Sequence, residues 1–146
     1  MGPVKAWLLA ALVSLKAGGG EGLLEHVTSP DAQLRALVVE AYAKAGDSAA
    51  VPAWFEALKN PVWQIRLESA HGLELMARPM DIPQLIAGLE DAHPEVRTRL
   101  DAALRRLSGM DFGFQGHGSG EVRREAVDKW KAWWHDNAYR YDIKAQ

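Results

Sequence analysis

The chain has 146 residues, a quarter of them charged, with a formal net charge of −2 and no cysteine. That length supplies one domain's worth of material with a sizeable core, and the ordinary apolar fraction excludes a disordered chain. The mild acidity weighs against a dedicated nucleic-acid binder, and the missing cysteine excludes a disulfide framework, a thiolate metal site and a cysteine nucleophile.

Taken in order, Val4–Ala17 carries apolar residues at 4, 8, 11, 12 and 15, the spacing of one helical face. Within it the apolar run Ala6–Leu15, preceded by Lys5 and followed by Ala17-Gly18, imitates a secretory leader. Lys16 interrupts that pattern, and the segment aligns with a later one at an offset of 30, placing Lys5 under Arg35 and Trp7 under Leu37. The expectation is therefore a structural helix, too short to cross a membrane, in a cytoplasmic protein. Gly18-Gly19-Gly20 ends it.

From Glu21 onward the chain repeats. Short helices are expected at Glu21–Val27, Val51–Leu58 and Ile82–Leu89, where Leu23, Trp54 and Leu85 coincide at an offset of 31. Pro52 and Pro83 also coincide, each near a helix start where a missing N–H costs nothing. A longer helix follows each, opening at Ser29, Asn60 and Asp91, residue types suited to cap a first turn. Their core faces recur at 34, 38, 41, 42, 45; 65, 69, 72, 73, 76; and 96, 100, 103, 104, 107. The small Ala41, Gly72 and Ala103 within those faces allow close helix approach. Arg35, Arg66 and Arg97 stand in one column, each after an aliphatic residue. Self-similarity at such a period marks a stacked-repeat architecture, because a lone helix pair cannot bury both of its apolar faces.

A short helix, a turn, then Pro-x-x-x-(Leu/Ile)-Arg or Pro-Glu-Val-Arg opening a longer helix resembles the HEAT-repeat family. The closest likeness is to the short bacterial repeats known from phycobilin lyases, and it covers residues 21–108. The resemblance implies an all-α fold, an α-solenoid or superhelix of stacked antiparallel helix pairs with a period of 31 residues. The expected layout is a single domain. A lone repeat helix (4–17) precedes helix-pair repeats at 21–46, 49–77 and 80–108; a Gly-rich loop (109–120), a capping helix (121–137) and a loose tail (138–146) follow. A chain that opens on a lone second helix also suits part of a longer array.

The loop GMDFGFQGHGSG has the glycines of a phosphate cradle but lacks Gly-Lys-Ser/Thr and follows a helix, so it reads as a flexible linker. Phe112 and Phe114 are available to pack over the last repeat. Val122, Ala126, Val127, Trp130, Trp133 and Trp134 give the final helix a Trp-rich face suited to closing an array.

Candidate functional residues come from positions that differ between copies. The arginine column reads as structural, since in the resembled family that residue bonds turn groups of an adjacent unit. The second helices carry another stripe, displaced from the core, and the resemblance places it on the concave surface. From it, Trp7, Leu37, Glu40, Glu68, His71, Leu75, Arg99 and Arg106 are expected to bind a partner, with Trp63 as a further exposed anchor. Trp7, Leu37 and Leu75 are apolar residues that a solvated face does not explain.

No catalytic residue, cofactor site or metal site is expected. The five histidines show no i,i+4 metal spacing, and the His-Glu dipeptides of HEAT-type iron hydroxylases are absent. The expected function is a non-enzymatic protein–protein interaction scaffold whose partner is another protein. The alternatives are an accessory subunit of a bilin-lyase-like enzyme or a nucleic-acid-binding HEAT-like protein. Arg97, Arg99, Arg105 and Arg106 offer the latter one basic helix.

Overall fold

The structure, a computed structural model, describes residues 6–8, 10–11 and 21–141. Among these every regular element is helical, and the chain divides into two compact units, Met1–Met76 and Ala77–Gln146. The fold class is all-α, built from packed helix pairs as expected of a HEAT-like α-solenoid.

In the first unit residues 6–8 and 10–11 are helical, and Leu8 and Ala11 are buried. Val4, Lys5, Leu12, Leu15, Lys16 and Ala17 of the expected first helix lie outside the described residues. Helix α1 (Glu21–Leu24) runs into a 3₁₀ turn (Glu25–Thr28), followed by α2 (Ala32–Ala45), α3 (Val51–Ala57) and α4 (Trp63–Met76). Helix α4 packs against both α3 and α2. Tyr42 of α2 and Trp54 of α3 meet edge to face at 6.1 Å, both buried. Gly72 lets α4 lie directly on the Trp54 ring: a Cβ there would stand 2.5 Å from Cε2.

The second unit contains α5 (Ile82–Gly88), α6 (Pro94–Ser108) and α7 (Gly120–Asn137), the last continued by a 3₁₀ turn (Ala138–Tyr141). Helix α5 packs against α6 and α7. Its core is Ile82, Leu85, Leu89, Val96, Leu100, Leu104 and Trp130. Val122, part of the apolar face expected of α7, is instead exposed in the helix's first turn.

The helix starts correct the expected caps. The long helices begin at Ala32, Trp63 and Pro94, three residues after Ser29, Asn60 and Asp91. Ser29 Oγ, Asn60 Oδ1 and Asp91 Oδ1 accept from the N–H groups of Asp31, Val62 and His93, so they shape the turn before the helix. The capping acceptors of α2 and α6 are Asp31 and His93 Nδ1. Pro52 and Pro83 do sit in the first turns of α3 and α5.

The arginine column closes that same turn. Arg35, Arg66 and Arg97 each donate Nη1 to the carbonyl six residues back, at Ser29 (2.7 Å), Asn60 (3.0 Å) and Asp91 (2.7 Å). The bond therefore lies within one repeat, correcting the expectation that it reaches an adjacent unit. Lys has no planar fork to make it from this position.

Arg97 goes further. Its Nε and Nη2 converge on Gly116 O at 3.0 and 2.6 Å, tying the Gly-rich segment to α6. That segment is thus a packed loop and not the flexible linker expected. Gly116 is buried, and a Cβ on it would collide with Thr98 Oγ1 and Pro94 O. Phe114 is buried, and Phe112 stands edge-on to Trp130 at 4.7 Å. The start of the expected loose tail is also held, since Tyr141 lies against Trp133 (6.0 Å) and Trp134 (5.8 Å). The tail beyond Tyr141 lies outside the described residues.

Candidate interaction surface

Burial separates the stripe residues. Leu37 is only 6% exposed, which corrects its place among surface anchors. The cause is the position of α2, which has the 3₁₀ turn Glu25–Thr28 against it on one side and α4 on another. A helix flanked on more than one side buries more than one stripe, and Arg35, Leu37, Val38, Val39, Ala41 and Tyr42 are all buried. Trp7 is half-buried, with its ring edge-on to His26 at 5.8 Å.

Helix α4 is different. It presents Leu75 at 44% exposure beside the half-exposed Glu68 and His71. At about 100° per residue these three fall within roughly 60° of arc, turned away from the buried Ile65, Ser69, Gly72 and Leu73. His71 Nδ1 stands 4.0 Å from Glu68 Oε2. On the adjacent α2, Glu40 occupies the same register as His71 and is exposed, 3.0 Å from Lys44 Nζ. Trp63 is 38% exposed but begins α4 on another flank, about 100° from this face. With Pro61 and Val62 it forms an exposed apolar corner at the turn into α4.

In the second unit Arg99 and Arg106 are exposed on α6. Arg106 Nη2 donates to Ala77 O at 2.8 Å, so it also ties α6 to the start of its unit.

The chemistry available on α4 is a carboxylate, an imidazole and an aliphatic side chain on an exposed helix face. That suits contact with a complementary surface better than turnover of a bound molecule. Among the described residues no group of three or more His, Asp or Glu side chains is placed to hold a metal, and no helix is long and apolar enough to cross a membrane.

Sequence reasoning missed two buried carboxylates. Asp101 of α6 accepts from Trp130 Nε1 of α7 (3.2 Å) and pairs with Arg105 (3.1 Å). Its burial pushes the carboxyl pKa up, against the opposing pull of Arg105. Asp81 accepts from the backbone N–H and Nε of Arg78, fixing the turn into α5. The signal was present: Asp101 stands in the column of Val39 and Ala70, and Asp81 in that of Ala50, all of them buried.

Compared with known families, residues 20–105 match the family model described as HEAT repeats. No curated protein matches the chain.

Proposed function

From the premise that this chain belongs to the HEAT-repeat family, we propose that it is a non-enzymatic binding module presenting the exposed face of its second helices to another protein. HEAT repeats are generally protein-interaction scaffolds. What supports the finer reading is Leu75. It is a large aliphatic side chain left 44% exposed in the last turn of α4, one turn beyond His71 on the side it shares with Glu68, while the helix buries Ile65, Ser69, Gly72 and Leu73 elsewhere. An exposed apolar residue flanked by polar ones is the composition of an interface core with its rim.

In this reading Leu75 is the anchor, and Glu68, His71 and Glu40 set orientation and specificity. Trp63 extends the contact along a second flank. Arg99 and Arg106, on the second unit, supply cations to an acidic region of the partner. Leu75→Ser removes the anchor without touching the core. It should weaken a recovered partner roughly tenfold or more while leaving the melting temperature unchanged. Unchanged affinity would refute the assignment of this face.

A further inference from the structure

A second surface, built from α5 and α7, uses none of those residues. Two depressions run along α7 where it meets α5. One, of about 560 Å³, has an apolar floor of Pro83, Ile86 and Ala87 with Trp134 as its wall. The other, of about 360 Å³, passes over Leu89 and Val127 and is edged by Arg123, Arg124 and Asp128. Glu90 and Lys131 line both, so the two join into one groove, apolar at its Ala138 end and polar at its Gly120 end.

The groove has the length and charge of a peptide site. From Arg123 to Ala138 the helix rises about 22 Å, the span of six or seven extended residues. Three cations (Arg123, Arg124, Lys131) face two carboxylates (Glu90, Asp128), with His135 at the apolar end. Arg123 is partly engaged, its Nε donating to Gly118 O at 3.1 Å. Arg124 and Lys131 make no ion pair among the described residues and are exposed. Trp134 is held by Trp133 and Tyr141, so the apolar wall is preset.

We propose that this groove receives a segment of a partner protein that has a large apolar side chain at one end and acidic residues at the other. The apolar side chain lies against Trp134, Ile86 and Pro83, and the acids run toward Lys131 and Arg124. Recognition by an apolar anchor plus a charged tail fixes both direction and register of the bound segment. The site stands or falls separately from the α4 face, since the two share no residue.

The test uses fluorescence anisotropy of labelled synthetic peptides of about a dozen residues on the full chain. One peptide carries two leucines at one end and glutamates at the other; the controls replace the glutamates by lysines or the leucines by serines. The acidic-apolar peptide should bind, and each control should bind roughly tenfold more weakly or worse. Lys131→Glu, Arg124→Glu and the groove-filling Ala87→Gln should each reproduce that loss, with unchanged circular dichroism. Equal binding of the three peptides, full affinity in Ala87→Gln, or no binding at all would overturn the proposal. So would a self-association of the chain that Ala87→Gln abolishes, which would make a second copy the occupant.

Discussion

Trp130 of α7 donates its indole N–H to Asp101 of α6, 3.2 Å away, and both side chains are buried. A buried carboxylate thus orients the helix that follows the Gly-rich loop. Asp101→Ala would leave the indole N–H in an apolar interior without an acceptor. A loss of about 1–3 kcal/mol is expected in denaturant unfolding, and no loss would show that the bond does not hold α7.

The same carboxylate gives stability a pH dependence of definite sign. Burial raises the Asp101 pKa in the folded state, with Arg105 and Trp130 opposing it. A raised folded-state pKa means the folded chain holds this proton more tightly than the unfolded one. Its contribution is therefore fully present below the ordinary carboxyl range and is lost as pH rises through the folded-state value. Asp101→Asn keeps an acceptor for Trp130 but does not titrate. The stability of wild type relative to Asp101→Asn should fall as pH rises through and above the carboxyl range. A difference that grows with pH would reverse the account.

The repeat column led to the arginines but not to their bonds. Spacing showed that Arg35, Arg66 and Arg97 share one environment, and each does close the turn behind its own helix. The second partner of Arg97, Gly116 O, lies 19 residues on in a segment with no counterpart in the other copies, so periodicity could not reveal it. Leu37 failed for a related reason. A helical wheel gives which residues share a face but not how many neighbours flank the helix, and α2 has more than one. Fold, by contrast, was legible, because Leu23, Trp54 and Leu85 occupy one column and all are buried.

Arg97→Lys keeps the charge and removes the fork that serves Asp91 O and Gly116 O together. It should cost about 1–3 kcal/mol, more than Arg66→Lys, because Arg97 is buried and Arg66 half-exposed. Limited proteolysis should then cut within residues 109–119 faster than in wild type. Equal cutting rates would mean that the loop is held by its phenylalanines alone.

Gly72→Ala places a Cβ against the Trp54 ring in the middle of the first unit. Overpacking of this kind should cost about 1–3 kcal/mol. Trp54→Phe alone leaves a cavity, and in the double variant the smaller ring makes room for the methyl. The two losses should therefore sum to more than the double variant shows. Simple additivity would argue against the contact.

Site-specific photo-crosslinking tests the proposed protein-binding face of α4 most directly. A photoreactive amino acid is placed at Leu75 or His71, and as a control at Glu56, an exposed position on α3. The account predicts that positions 75 and 71 capture one and the same protein in cells that natively express the chain, that position 56 does not, and that Leu75→Ser weakens its binding. Capture of the same proteins from position 56, or of none from 75 and 71, would contradict it.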